Sequence, residues 1–131
     1  MIFVDTGGWF AYFVPSDVDH HTAVAWMDAT FDNLLTTDYV IDETLTLLRA
    51  RKENDKAVRF GKLIFAGRVA KIHYVTPAEI AAAWDVFHRY ADKDWSFTDC
   101  TSKVVMESLG VTTAFAFDQH FRQFGSIAVV P

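Results

Sequence analysis

Ile2-Phe3-Val4-Asp5 opens the chain as an unbroken apolar run closed by a carboxylate. Such a run reads as a strand buried on both faces, as strands are inside parallel sheets. Ala114-Phe115-Ala116-Phe117-Asp118 repeats the pattern more than a hundred residues later. A carboxylate just past a strand of this kind stands at the carboxyl edge of the sheet, where open α/β folds bind ligands. Joined by Glu43 and Asp99, the two aspartates would form an acidic pocket. Clustered carboxylates repel one another, so the expected purpose of such a pocket is to hold a divalent metal.

Between these two runs the pattern alternates strand and helix. Trp9-Phe10-Ala11-Tyr12-Phe13 is apolar and stops at Pro15, and Ser16 or Asp17 is expected to cap a second helix reaching about residue 31. Leu34-Leu35-Thr36-Thr37 reads as a short strand. Asp38 is expected to cap the helix that carries Ile41, Leu45 and Leu48 as an inward stripe. A basic helix starts at Asn54 or Asp55 and ends near Gly67. Residues 72–75 read as a third strand, and Thr76-Pro77-Ala78-Glu79 as a capping box with proline at the first helical position. Ile80, Trp84, Phe87 and Ala91 mark the expected inner face of that helix. Thr98-Asp99 opens another helix, closed by Gly110. After the strand ending at Phe117 come a short helix to Phe124 and a strand over 127–130. The expected architecture is α/β, a three-layer α/β/α sandwich around a mostly parallel sheet.

The 131 residues read as one domain, 1–131, and a composition of 51% apolar and 15% aromatic residues excludes a disordered chain. No apolar stretch approaches the roughly 20 residues that span a bilayer. Asp5 interrupts the start too early for a signal peptide. Cys100 is the single cysteine, so no intrachain disulfide forms and a reducing cytoplasm is the expected compartment. The net charge is −5, yet residues 49–71 hold eight of the twelve cations against only Glu53 and Asp55, a local charge of +6. An acidic body with one basic flank would hold a metal and a polyanion side by side, although a charge run is also how a plain solvated helix face reads.

Hard oxygen ligands suit Mg²⁺ or Mn²⁺, and such an ion can activate water and stabilise the leaving oxygen of a phosphodiester. Each acid also has a plainer use: Asp99 or Asp118 as a helix cap, Glu43 as a surface acid. Asp5 has few such uses. The four in this order make a specific pattern.

Read together, Ile2-Phe3-Val4-Asp5-Thr6, Asp42-Glu43, Ser96-Phe97-Thr98-Asp99-Cys100 and Ala116-Phe117-Asp118-Gln119-His120-Phe121 resemble a PIN-domain ribonuclease, in particular the VapC-type toxins of toxin–antitoxin pairs. The resemblance covers essentially the whole chain. It implies that Asp5, Glu43, Asp99 and Asp118 are the catalytic quartet, with Asp5, Asp99 and Asp118 holding Mg²⁺ or Mn²⁺ and Glu43 orienting or deprotonating water. It further implies RNA as substrate, a cognate antitoxin as partner, and a homodimer. Thr6 matches the hydroxyl residue that commonly follows the first aspartate. Gly7 stands where many members carry Ser or Asn. Gly7-Gly8 is therefore expected in a loop needing close backbone approach or positive φ. Gln119 and His120 replace a further acid found in many relatives, which leaves a second metal position less well provided.

Other features carry less. His20-His21 point about 100° apart on a helix and read as a helix start. Cys100 reads as a core residue. Most of Trp9, Trp26, Trp84 and Trp95 are expected in the core or at a subunit interface rather than stacked on bases. His120 is a possible proton shuttle that position alone does not separate from a surface histidine. A haloacid-dehalogenase-like phosphatase wants an acid where Gly7 stands. A receiver domain wants a late lysine, and none lies beyond Lys103. The remaining alternatives are a PIN nuclease that processes RNA without being a toxin, and a non-catalytic RNA-binding module, which the intact quartet disfavours.

Overall fold

A computed structural model describes residues 1–131. Five short strands form one sheet: β1 (Ile2–Val4), β2 (Leu34–Thr37), β3 (Lys71–His73), β4 (Thr113–Phe115) and β5 (Ala128–Val130). Their order is β3-β2-β1-β4-β5, and every pairing is parallel, so a sheet expected to be mostly parallel is wholly so. Six helices connect and flank them: α1 (Thr6–Phe13), α2 (His20–Ala29), α3 (Asp38–Ala50), α4 (Asn54–Phe65), α5 (Pro77–Arg89) and α6 (Phe97–Leu109). Short 3-10 turns occupy Ala91–Lys93 and Gln119–Gln123.

This order sets the site. The chain lays β1, β2 and β3 outward in one direction, then returns to place β4 on the other side of β1. The order therefore reverses between β1 and β4, and at such a switch point the loops leaving the two strands part and open a crevice. Phe3 pairs with Ala114 and Val4 with Phe115, so both strands end at the same level. The residue after β1 is Asp5; Asp118 lies just past β4.

The core explains the apolar runs. Phe3, Val4, Leu35, Ala114 and Phe115 are buried on the central strands, as helices on both faces require. Trp9, fully buried, packs on Phe60 at 5.6 Å between ring centroids and donates from Nε1 to Thr36 Oγ1 at 3.2 Å. Trp95 is buried, Trp26 packs on Phe115, and Cys100 lies in the core as its sequence context implies.

Several local expectations shift. The second helix begins at His20 because Asp17 Oδ2 accepts from the Asp19 amide at 3.0 Å, a local turn that competes with helix at residues 16–19. The cap of α3 is Thr37, whose Oγ1 accepts from the Val40 amide at 3.1 Å. Asp38 instead accepts from the Val75 amide at 2.9 Å, which takes Val75 out of the ladder and ends β3 at His73. The capping box at Thr76 and Glu79 is present, as is the left-handed Gly110 after α6.

The inner face of α5 is rotated by about 100° from the one expected, one residue along the helix. Glu79 and Ala83 are buried, while Trp84 is 58% and Phe87 39% exposed and they stack on each other. A small alanine lets α5 approach its neighbour α6 closely, and the larger aromatic side chains are left outside.

Candidate active site

The four acids arrive from four elements at one edge of the sheet. Asp5 ends β1 and precedes α1; Glu43 sits in the second turn of α3; Asp99 is in the first turn of α6; Asp118 follows β4. Their burial is graded. Asp5 and Asp99 are buried, Glu43 is half-buried and Asp118 is exposed, so the cluster opens to solvent on the Asp118 side.

Every acid has a protein donor, but one carboxylate oxygen is left without any. Thr6 Oγ1 donates to Glu43 Oε1 at 2.6 Å, joining the start of α1 to α3. Asp99 completes a capping box with Ser96: its Oδ2 accepts from the Ser96 amide and its own amide donates to Ser96 Oγ, both at 3.0 Å. Asp118 caps the 3-10 turn, with Oδ1 accepting from the His120 amide at 2.8 Å. The plainer capping use of Asp118 is thus real, whereas the cap of α6 is Ser96 and Asp99 is the third helical residue of its box; both roles coexist with membership of the cluster. Asp5 differs. Its Oδ1 is buried without any hydrogen-bond partner.

The electrostatics follow from that burial. Loss of solvent, then the negative charge of Asp99, then smaller repulsion from Glu43 and Asp118, push the Asp5 carboxyl up to about 8 from its ordinary 3.8, against a hydrogen bond from the Thr6 amide. This coupling is the clearest sign that the four acids share one field.

A divalent cation fits that chemistry. An orphaned, solvent-starved carboxylate oxygen among three other acids is the environment a hard cation relieves. The side chains are not, however, gathered around a common point: no three His, Cys, Asp or Glu groups stand arranged to coordinate one ion. Their existing donors account for this. Asp99 Oδ2 and Asp118 Oδ1 are turned toward protein N–H groups, so a cation there would need their other oxygens or a small side-chain rotation. The largest concavity lies elsewhere, between α3 and α4, lined by Leu45, Arg49, Val58 and Lys62.

The glycines behave differently from the loop expected of them. Gly7 and Gly8 lie in the first turn of α1, and neither has positive φ. Gly8 supplies close approach: a Cβ there would fall 2.5 Å from Phe115 Cδ1 and 2.9 Å from the Phe115 carbonyl oxygen. That same carbonyl accepts from the Asp5 amide at 3.2 Å. The glycine lets α1 sit against β4, which brings Asp5 to the switch point.

One neighbour is not separable in the sequence. His120 Nδ1 lies 2.9 Å from Asp99 Oδ2 and 3.4 Å from Asp118 Oδ1. Its position two residues after Asp118 is visible there, but not the turn that folds its ring back over α6. His20, by contrast, starts α2 and approaches the Ala11 carbonyl at 2.8 Å, away from the acids.

Residues 2–127 match the PIN domain family. The 23S rRNA-specific endonuclease VapC20 of Mycobacterium tuberculosis (strain CDC 1551 / Oshkosh) is 34% identical over 131 residues, covering 100% of this chain and 99% of that protein. A VapC ribonuclease of Archaeoglobus fulgidus is 32% identical over 123 residues, 90% of this chain and 77% of the relative. The crystal structure of Mycobacterium tuberculosis VapC20, a sarcin–ricin loop cleaving toxin, superposes with a TM-score of 0.92 at 33% identity over 100% of both chains. With its order of strands, its acids at the switch point and likeness over its full length, the chain belongs to the PIN-domain family, among the VapC proteins.

Proposed function

We propose that residues 1–131 form one nuclease domain, a Mg²⁺- or Mn²⁺-dependent endoribonuclease that hydrolyses RNA phosphodiester bonds as the toxin of a toxin–antitoxin pair. The observation that carries this reading is the buried, partnerless Asp5 Oδ1 among Glu43, Asp99 and Asp118. The ribonuclease and toxin functions of the VapC relatives support the reaction class, and the full-length similarity to VapC20 supports ribosomal RNA as the first substrate to try.

Asp5, Asp99 and Asp118 hold the cation, with Asp5 supplying the most buried charge. The bound ion supplies neutralisation of phosphate charge and activation of water. Glu43 acts from α3. Thr6 occupies its Oε1 and fixes the side chain, leaving Oε2 to accept a proton from the attacking water. The grading of burial gives the RNA an approach from the Asp118 side, opposite the covered Asp5 end.

The basic stretch from the end of α3 through α4 gives the phosphate backbone an attractive surface without reading sequence. The antitoxin and a second copy of the chain are the expected protein partners. The cytoplasm is the proposed compartment, consistent with a single buried thiol; no helix is long and apolar enough to cross a membrane.

The test is cleavage of a sarcin–ricin-loop hairpin and of single-stranded RNA by the purified chain, with Mg²⁺, Mn²⁺ or EDTA. Endonucleolytic products that need metal are expected. RNA left intact in every metal, by protein that circular dichroism shows to be folded, overturns the assignment.

A further inference from the structure

His120 is the one side chain that reaches two of the acids. Its ring Nδ1 meets Asp99 Oδ2 at 2.9 Å, across 21 residues of chain, while its backbone amide donates to Asp118 Oδ1 at 2.8 Å. An ionised Asp99 can only accept, so the ring proton resides on Nδ1 and the tautomer is fixed. The ring is mostly covered, with 24% of its side chain exposed. Its neighbour Phe121 is fully buried against Phe3 and Phe124, at 6.0 and 4.7 Å, so the turn bearing His120 is anchored in the core.

We infer that His120 is a positioning residue for the metal: by donating from Nδ1 to Asp99 and from its amide to Asp118, it fixes the two acids relative to each other across the mouth of the site. The inference rests on the metal reading above. Carboxylate ligands in metal sites are commonly oriented by such outer donors, whose removal typically costs about 10- to 100-fold in metal affinity. Without the ring, Asp99 Oδ2 keeps only the Ser96 amide and can swing about its capping bond. Asp118 keeps its own amide donor but loses its link to α6. The fold has little stake in the bond, because the capping box and Phe121 remain.

The alternative use of the same ring is proton transfer through Nε2, and geometry separates the two. An asparagine places its amide nitrogen near the position of Nδ1. A glutamine places it near Nε2.

The experiment is Mn²⁺ titration of the full chain, followed by the electron paramagnetic resonance of free Mn²⁺, for wild type, His120→Ala, His120→Asn and His120→Gln. His120→Ala is expected to raise the Mn²⁺ Kd about 10- to 100-fold. His120→Asn is expected to recover most of that loss and His120→Gln little of it, with metal-free unfolding midpoints close to wild type. Wild-type affinity in His120→Ala overturns the inference while leaving the metal reading intact. Recovery by Gln but not Asn overturns it in favour of Nε2. The absence of Mn²⁺ binding by wild type overturns the metal reading and this inference with it. The Asn and Gln variants both fill the site, so their comparison stands even where the alanine variant folds poorly.

Discussion

Replacing Asp5 by asparagine should make the metal-free protein more stable, and increasingly so as pH rises. Burial and the surrounding acids lift the folded-state value to about 8, against 3.8 when the chain is unfolded. Below 3.8 the carboxyl is protonated in both states and contributes no difference. Between 3.8 and 8 the unfolded chain releases the proton while the folded chain retains it, so folding becomes less favourable as pH increases. The slope is at most about 1.4 kcal/mol per pH unit, and at neutral pH the accumulated penalty is on the order of 4 kcal/mol. The substituted amide keeps the shape and the unpartnered position but cannot ionise, so it escapes this penalty. Urea unfolding in EDTA, from about pH 5.5 to about pH 7.5, should show wild type losing on the order of 3 kcal/mol relative to Asp5→Asn. Mn²⁺ at about 1,000 times its Kd should then close that gap at neutral pH, because a ligand at that excess stabilises the form that binds it by about 4.1 kcal/mol. A difference between the two proteins that stays flat with pH in EDTA, or that favours wild type as pH rises, refutes the reasoning.

The same substitution and Asp99→Asn should each abolish or severely reduce RNA cleavage and relieve growth arrest on expression, in protein that remains folded by circular dichroism. Glu43→Gln and Asp118→Asn should be strongly impaired too, with the exposed Asp118 retaining more. Asp85→Asn, which breaks an ion pair to Arg89 on the outer side of α5, should cleave normally in the same time course. Charge reversal at Arg49, Arg51 and Lys52 should weaken RNA binding and reduce the salt slope by about 0.7–0.9 for each phosphate that is no longer neutralised, with unchanged sequence preference. Unaltered binding would make that stretch a solvated face, and loss of antitoxin binding alone would make it a protein interface. Gly8→Ala should lower stability by about 1–3 kcal/mol, since its Cβ meets Phe115, whereas Gly7→Ala meets nothing and should leave the urea midpoint unchanged or higher.

Most of the fold was legible because apolar runs and caps state the same thing twice. Ile2-Phe3-Val4 and the run Ala114 to Phe117 read as strands buried on both faces, the second ending at Phe115, two residues sooner than expected. The box at Thr76 starts its helix by a local bond that no tertiary contact needs to support, whereas the helix expected to open at Thr98-Asp99 is capped earlier, by Ser96. What failed was orientation. Ile80, Trp84 and Phe87 lie on one side of α5 whether that side meets core or solvent, and hydropathy does not say which; here Ala83 took the inner side. Gly7 and Gly8 were equally ambiguous, since close approach and positive φ leave the same residue in the sequence. The acids were visible as residues at strand ends and a helix start. Their partners were not, because the Thr6–Glu43 and His120–Asp99 bonds span 37 and 21 residues and exist only once the sheet is assembled.

Those partners answer how four acids can be brought together before a cation arrives. Thr6 meets Glu43; Ser96 and His120 meet Asp99; the His120 amide meets Asp118. Such bonds to ionised acceptors offset part of the repulsion among groups still partly open to water. Asp5, the most buried of the four, has the Thr6 amide as a donor but is orphaned at Oδ1, and that one bond does not outweigh its burial. It also cannot move away: its amide is bound to the Phe115 carbonyl, and β1 is held between β2 and β4. The fold therefore concentrates the unfavourable electrostatics of the whole cluster on one rigid side chain. A cation gains most where that cost is greatest, so loss of Asp5 should weaken metal binding more than loss of the exposed Asp118. Equal Mn²⁺ affinities for Asp5→Asn and Asp118→Asn would show that the ion is held by the outer acids and that the buried one serves another purpose.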